Sequence, residues 1–261
     1  MNRTPGTPVL SVRGVSRNYG AVRALVDVDL DIHAHEVVAI VGDIGAGKST
    51  LARVMSGALA PDSGTIEVDG APVSMPSTRA ARELGIAAVF QDLALAENLD
   101  VVQNLFLGQE LRRAGILDER RMERRAWEVL SQLAARVPSV RAPVRALSGG
   151  QRQAVAVART LVGNPRVVVL DEPLASLGIS QTAEVLNMVE RLRESGLGVV
   201  MISHSMVDVQ AVADRIVVLR LGRINGDFDA EHASYEDLIA AITGITPTGR
   251  AARPTTRPAT L

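Results

Sequence analysis

The sequence is most constrained by a glycine-rich loop that stands between an apolar run and a helical pattern. Residues 37–41 are five consecutive apolar residues, which is typical of a strand buried on both faces. The next segment, 42–49, reads GDIGAGKS and fits the phosphate-binding pattern G-x-x-x-x-G-K-[ST]. Apolar residues then recur on one helical face: Leu51, Val54, Met55 and Ala58. This order of elements predicts an α/β unit that binds a nucleotide.

The chemistry of this loop assigns a role to its lysine and its serine. Glycines let backbone N–H groups converge on phosphate oxygens, and the N-terminus of the following helix adds a favourable dipole. Lys48 is predicted to reach the β- and γ-phosphates, and the Ser49 hydroxyl to ligate Mg²⁺. The predicted phosphate-binding residues are Gly42, Asp43, Ile44, Gly45, Ala46, Gly47, Lys48, Ser49 and Thr50.

The basic residues single out the same position. Of the 28 basic residues, 27 are Arg and only Lys48 is Lys. The base composition of the genome explains why Arg is found wherever either Arg or Lys would serve. Because Arg and Lys differ in shape and hydration, the single Lys indicates a place where Arg does not fit.

A second apolar strand, in residues 166–172, ends in two acids. In such folds, groups at the carboxyl end of a parallel strand lie beside the phosphate loop. Asp171 is therefore predicted to hold the Mg²⁺ shell, and Glu172 to orient and polarise an attacking water. The catalytic residues would include Glu172 and Lys48.

Composition limits the partners. Hydrophobic residues make up 47% of the chain and the formal net charge is −1, so bulk electrostatics give no reason to expect a nucleic-acid partner. The chain has no cysteine, which excludes disulfides and thiolate metal sites. We see no signal-peptide segment, and no apolar stretch approaches the roughly 18 residues of a membrane span. Any membrane role is expected to come through another subunit.

The remaining pattern predicts the organisation of the fold. Residues 9–30 indicate short strands, and Asp69-Gly70 indicates a tight hairpin. Residues 93–147 change to helices with a charged exterior, including one capped by Asp118 in which Trp127 is predicted to pack. Strands then alternate with helices, which favours a mostly parallel α/β sheet. From Ile245 onward the chain is rich in Thr, Pro, Arg and Ala, and it is predicted to be a disordered tail.

Residues 147–151, LSGGQ, are the most specific segment. A Ser-Gly-Gly turn that opens a helix is a second anion-binding helix start. One nucleotide does not need two such sites from one chain, whereas a head-to-tail pair of chains does. Each LSGGQ segment would then close on the nucleotide of the other chain.

With these motifs together, the chain resembles the ABC transporter ATPases over residues 10–244. The resemblance implies one cassette at 8–244, with a P-loop NTPase core, an N-terminal antiparallel β subdomain, a helical subdomain inserted at about 92–147, and a tail at 245–261. It implies hydrolysis of ATP with Mg²⁺. It further implies that adenine stacks on Tyr19, that Gln91 joins Ser49 and Asp171 at the metal, and that His204 contacts the γ-phosphate. The signature residues that act in trans would be Ser148, Gly149, Gly150 and Gln151.

Three segments resemble the ATPases of monosaccharide importers: residues 89–110, 202–206 and 211–222. That resemblance implies a subunit on the cytoplasmic face of the membrane, bound peripherally to permease subunits. An extracytoplasmic sugar-binding protein would be an indirect partner. One cassette per chain favours a homodimer.

Two other functions fit parts of the sequence. A soluble, non-transport ABC ATPase is one, but only about 100 residues separate Lys48 from Ser148, too few for the long coiled coil of the DNA-repair members. A nucleotide-sensing regulator with weak hydrolysis is the other. Ile44 stands where carbohydrate-import relatives usually have Asn, and Gly178 stands where most of the family has Asp. An ATPase measurement with Lys48→Ala as control separates the regulator from the other two.

Overall fold

A computed structural model describes residues 6–245 of the chain. The strands are β1 (Leu10–Tyr19), β2 (Val22–Ile32), β3 (Val37–Val41), β4 (Ser63–Val68), β5 (Ala71–Val73), β6 (Ile86–Val89), β7 (Arg112–Arg113), β8 (Ile116–Leu117), β9 (Val167–Asp171), β10 (Gly198–Ile202), β11 (Arg215–Arg220) and β12 (Arg223–Asp229). The α-helices are α1 (Lys48–Met55), α2 (Thr78–Glu83), α3 (Val101–Phe106), α4 (Glu119–Gln132), α5 (Gly149–Leu161), α6 (Ile179–Glu194), α7 (Met206–Val212) and α8 (Tyr235–Thr243), and a 3-10 turn covers Val144–Ala146.

The central sheet has six strands in the order β12-β11-β3-β10-β9-β6. The pairings of β3 with β10 and β11, and of β9 with β10 and β6, are parallel. Only β12, at one edge, pairs antiparallel with β11. The helices between the parallel strands provide the crossovers that such pairings require.

The apolar run of β3 is buried on both faces, and its residues alternate between two cores. Val37, Ala39 and Val41 face the core that contains α3 to α8. Val38 and Ile40 face the core that contains α1 and the antiparallel strands. This alternation follows from the two-residue period of a strand, and it explains why β3 has no polar position.

The second sheet is antiparallel, in the order β2-β1-β4-β5. Asp69 and Gly70 connect β4 to β5 with positive φ angles of 53° and 76°, which is the geometry of the predicted tight hairpin. Residues 9–30, predicted as several short strands, form two long paired strands, β1 and β2. Irregular register between them interrupts the simple alternation that marks one long strand.

The region of residues 93–147 contains α3, α4 and the 3-10 turn, with a small β7–β8 hairpin that the sequence did not predict. Asp118 caps α4 by accepting the amide of Arg121. Trp127, predicted to be a packing residue, is 44% exposed. Each residue turns the helix by about 100°, so Trp127 lies off the buried stripe that contains the adjacent Ala126.

The described fold therefore has the predicted mostly parallel core, with an antiparallel β subdomain and helices inserted between β6 and β9. Among residues 6–245, no helix combines the length and the apolar character that a bilayer crossing requires. Of the predicted tail, Ile245 is described and is exposed, and residues 246–261 lie outside the described part.

Candidate nucleotide-binding site

Most of the predicted phosphate, metal and catalytic residues follow the carboxyl ends of four neighbouring strands of the central sheet. β3 leads directly into the phosphate loop (residues 42–49), and Gln91 follows β6 by two residues. β9 ends in Asp171 and is followed by Glu172, while His204 follows β10 by two residues. Because parallel strands end at one edge of a sheet, their order brings together groups that are far apart along the chain.

The phosphate loop needs glycine for close packing. A Cβ on Gly42 would lie 2.1 Å from the Leu219 carbonyl oxygen, and one on Gly47 would lie 2.3 Å from the Ala24 carbonyl oxygen. Gly47 is also the residue before α1, with a φ of 106°, and no side chain caps this helix. The first N–H groups of a helix have no intrahelical partner, so the start of α1 offers donors to an anion.

Lys48 is buried at the start of α1, with 6% of its surface exposed. Its Nζ donates hydrogen bonds of 2.9 Å to the carbonyl oxygens of Gly42 and Asp43. Burial lowers the pKa of Lys48, and the carboxylates of Glu172, Asp43 and Asp171 partly offset that effect. The ammonium group is thus held against its own loop, beside the acids at the ends of the strands.

Ser49 and Asp171 form an oxygen pair suited to a hard cation. The Ser49 hydroxyl donates to Asp171 Oδ1 at 3.2 Å. Neighbouring corners of an octahedron with metal–oxygen distances of about 2.1 Å lie about 3 Å apart, and Mg²⁺ prefers such oxygen ligands. Burial raises the pKa of Asp171, against the opposing effect of the Ser49 hydrogen bond. A cation here would offset the cost of burying that charge.

Glu172 has a strained backbone and a free buried oxygen. Its φ is 54°, in the left-handed region that costs a non-glycine residue about 1–2 kcal/mol. Its Oε1 lies 2.8 Å from His204 Nε2, yet the contact lacks hydrogen-bond geometry and leaves Oε1 buried without a hydrogen-bond partner. Burial raises the pKa of Glu172, while His204 and Lys48 lower it. Such strain and desolvation are typical of functional sites.

Most of these residues line one cavity of about 470 Å³. Its lining consists of Tyr19, Val22, Ala24, Ile44, Gly45, Ala46, Gly47, Lys48, Ser49, Thr50, Gln91, Glu172, Ala175 and His204. Gly42, Asp43 and Asp171 are not part of this lining, although each bonds to Lys48 or Ser49. Ile44 is 88% exposed at the mouth.

Three residues of the cavity were not predicted from the sequence: Val22, Ala24 and Ala175. Tyr19 is 45% exposed and Val22 is 65% exposed, so together they give the cavity an apolar end. The guanidinium of Arg17 lies 5.4 Å from the centre of the Tyr19 ring. The signal for Val22 was its place across the β1–β2 turn, directly paired with Tyr19.

The LSGGQ segment is built differently from the phosphate loop. Ser148 Oγ accepts a hydrogen bond of 3.3 Å from the backbone N–H of Gln151, and Gln151 Oε1 accepts one of 2.9 Å from the backbone N–H of Ser148. This capping box closes the start of α5 with its own side chains. None of the four predicted signature residues lines the cavity. Gly178, where the family pattern has a carboxylate, is the N-cap of α6, and the Gln181 side chain accepts its amide.

The fold and the site define a nucleotide-binding α/β protein with a phosphate loop and paired acids at the ends of its strands. The sequence profile described as ABC transporter matches residues 25–175. The chain belongs to the ABC transporter family and is an ATP-hydrolysing member of it. The predictions of family, fold and ATPase activity are confirmed.

Proteins with established descriptions are similar along nearly the whole chain. The fructose import ATP-binding protein FrcA of Rhizobium meliloti is 41% identical, over 91% of this chain and 94% of that protein. The xylose/arabinose import ATP-binding protein XylG of Sulfolobus acidocaldarius is 39% identical, over 91% and 94%. The ribose import ATP-binding protein RbsA 1 of Rubrobacter xylanophilus is 40% identical, but this chain covers only 47% of it.

Solved structures agree with the fold. The dimeric ATP-binding cassette MJ0796, in a post-hydrolysis state with ADP and Pi, superposes with a TM-score of 0.72 at 26% identity, over 85% of this chain and 98% of that one. The cbiO1 protein of Clostridium perfringens, part of the transporter complex cbiONQ, superposes with a TM-score of 0.76 at 28% identity, over 93% and 97%.

Proposed function

We propose that this chain is the ATP-hydrolysing subunit that energises a separate membrane permease for the import of a monosaccharide. The observation that carries the proposal is the single cavity that Lys48, Ser49, Glu172 and His204 share with Tyr19. Similarity to fructose, xylose/arabinose and ribose import proteins over 91% of this chain supports the class of solute.

In the proposed complex, ATP lies along the cavity from its apolar end to the strand ends. Adenine stacks on Tyr19, and the exposed Val22 contacts its edge. The triphosphate runs over residues 42–50, where the uncapped start of α1 supplies amide donors. Lys48 moves from the carbonyl oxygens of its own loop to the β- and γ-phosphate oxygens. The lost hydrogen bonds to neutral carbonyl groups are replaced by stronger ones to charged phosphate oxygens.

The oxygen pair of Ser49 and Asp171, together with Gln91, would hold Mg²⁺. The ion, when bound, neutralises charge that develops on the phosphate oxygens. Asp171 lies 5% exposed, in surroundings that raise its pKa. Burial therefore disfavours the ionised carboxylate, and a bound cation would offset that cost.

Glu172 is proposed to orient the attacking water. Because its buried Oε1 has no hydrogen-bond partner, it can accept a proton of a water placed in line with the γ-phosphate. His204 Nε2 lies 2.8 Å from that oxygen, and its imidazole is proposed to donate to the γ-phosphate. Catalysis then consists of positioning and charge neutralisation.

The separation of the signature from the cavity supports a dimer. Ser148 to Gln151 form a helix start that faces no nucleotide of their own chain. Two copies related head to tail place each signature over the phosphates bound by the other copy. The solved MJ0796 cassette is a dimer. We propose a homodimer as the working assembly.

The remaining partners follow from the import function. The cassette, proposed to extend over 8–244 with its helical subdomain at 92–147, docks on permease subunits from the cytoplasmic face of the membrane. An extracytoplasmic sugar-binding protein would deliver the solute to the permease. No nucleic acid is expected, given the net charge of −1.

Reconstitution with the cognate permease in lipid vesicles tests this function. We expect uptake of a pentose or of fructose that depends on internal ATP and Mg²⁺, and no uptake with Lys48→Ala. ATP turnover by the isolated chain without uptake of any monosaccharide would refute the import proposal. If the wild-type chain turned over no ATP, either alone or reconstituted with the permease, a nucleotide-sensing role would be favoured instead.

A further inference from the structure

We propose that Arg159 is a positioning residue that fixes the loop carrying Gln91, so that α5 links this loop to the signature at the other end of the helix. The inference rests on the proposed function, because it takes Gln91 as a group that acts at the bound nucleotide. Arg159 itself does not line the cavity.

The contacts of Arg159 are specific to the loop. One Nη donates to the Leu93 carbonyl oxygen at 2.7 Å, and the other donates to the Ala94 carbonyl oxygen at 2.8 Å. These carbonyl groups belong to the second and third residues after Gln91. The two donors of a guanidinium have a fixed planar spacing, so binding both oxygens fixes the orientation of the segment as well as its position.

The loop also contains strain that such a clamp can maintain. Ala94 has a φ of 48°, which costs a residue with a Cβ about 1–2 kcal/mol. Asp92 Oδ1 accepts the amide of Ala94 at 3.0 Å, which closes a tight turn directly behind Gln91. The turn is therefore held from outside by Asp92 and from the core side by Arg159.

Arg159 carries its charge in a largely buried position. Burial lowers the pKa of Arg159, and the nearby Arg82 acts in the same direction. Within residues 6–245, no carboxylate lies at ion-pair distance from Arg159. A partly buried cation without a counter-ion is costly, and apolar side chains pack at lower cost. The cost is offset by hydrogen bonds to the loop.

The position of Arg159 on α5 connects two functional segments. Arg159 lies eleven residues after Ser148, a rise of about 16 Å along the helix axis. When a signature closes on the nucleotide of the partner, the same helix would shift the loop of Gln91 toward its own nucleotide.

The experiment compares Arg159→Gln with a matched control, Arg125→Gln. Arg125 also bonds the end of α5, through the Leu161 carbonyl oxygen and the side chain of Asn164, but none of its hydrogen bonds reaches the Gln91 loop. ATP turnover is measured against ATP and against Mg²⁺ on the full chain. Amide hydrogen exchange of residues 91–95 is followed by mass spectrometry.

For Arg159→Gln we expect kcat to fall about 10-fold with the KM for ATP within about 2-fold, because the phosphate loop is untouched. The Mg²⁺ needed for half-maximal turnover should rise, and exchange at 91–95 should accelerate. Arg125→Gln should change none of these. Wild-type kcat, Mg²⁺ dependence and exchange in a folded Arg159→Gln variant would overturn the proposal.

Asp92→Ala gives a second test should Arg159→Gln fold poorly. It removes the outer hydrogen bond of the same turn without leaving a buried group unpaired. Faster exchange at 91–95 with a smaller fall in kcat supports the proposal, and faster exchange with unchanged kcat contradicts it. Lys48→Ala keeps the two proposals distinguishable. If the wild-type chain turned over ATP no faster than Lys48→Ala, the ATPase role would be refuted, but the proposed role of Arg159 in fixing the loop would not.

Discussion

The two glycine-rich helix starts of this chain look alike in sequence and differ in structure. The start of α1 has no side-chain cap, and its glycines pack against carbonyl groups of β2 and β11. The start of α5 is closed by the capping box of Ser148 and Gln151. The first adjoins Asp171, Glu172 and His204, while the second lies outside that cavity.

In the proposed dimer, each chain would contribute one half of each of two nucleotide sites. An uncapped helix start in a buried setting is open to an anion from its own side. A capped helix start is stable without a ligand. It can therefore stay at the surface until a second copy of the chain binds. The capping box satisfies only the third amide of α5, and the amides of Gly149 and Gly150 remain available to a phosphate.

The largest effect is expected for Glu172→Gln. The amide keeps the shape of the side chain and removes the charge that polarises water, so turnover should fall about 10³-fold. ATP should still bind and hold two copies together through α1 and α5. Steady-state turnover and size-exclusion chromatography with Mg·ATP check both expectations. Near wild-type turnover would remove Glu172 from its assigned role, and Glu83→Gln on the exposed face of α2 is the control.

Lys48→Arg should lower turnover about 10²-fold. The positive charge is retained, but the bulkier fork cannot bond both carbonyl oxygens of the loop and then turn to the phosphates. Hydrolysis assays and nucleotide titration measure the effect, with the exposed Arg79→Lys as control. Unchanged turnover would mean that charge alone suffices at the start of α1.

A mixture of two inactive variants tests whether the two helix starts act across chains. Lys48→Ala removes the phosphate contact, and Ser148→Arg blocks the signature. In an equal mixture half of the dimers are heterodimers with one complete site, so activity should recover to about a quarter of wild type. No recovery, with dimers of both variants demonstrated by crosslinking, would place signature and phosphate loop in the same chain's site.

The smallest effect concerns stability without nucleotide. Burial raises the pKa of Asp171, so the folded chain binds a proton there more tightly than the unfolded chain does, and ionised Asp171 opposes folding. Asp171→Asn should therefore raise the melting temperature by about 2–4 °C in mildly alkaline buffer. The gain should shrink as the pH falls toward the ordinary range of a carboxyl group.

Asp62→Asn provides the control of opposite sign. Hydrogen bonds from the Asn18 amide, and the charge of Arg17, lower the pKa of this exposed carboxylate. Its ionised form supports folding, so its replacement should lower the melting temperature in the same buffer. A fall in melting temperature for Asp171→Asn would contradict the burial argument for the cation site.

Much of the fold and of the candidate site could be predicted from the sequence alone. Residues 37–49 and 166–172 predicted the strands, the phosphate loop and the acids, because a buried strand and a glycine turn need particular residue types wherever they occur. LSGGQ and the importer-like segments predicted the family, which the comparisons confirm. The roles of Tyr19, Gln91 and His204 came from resemblance alone, and they stay predictions.

Only the tertiary structure decided how these segments meet. The order of strands in the sheet places β10 between β3 and β9, which brings His204 beside Glu172. No local sequence pattern predicts this order, because it depends on hydrogen bonds between strands that are distant along the chain. The same holds for the exposure of Trp127, for the closure of Lys48 onto its loop, and for the contact of Arg159 with the Gln91 loop. Local residue types determined what the segments can do, and the packing of distant segments determined which of them act together.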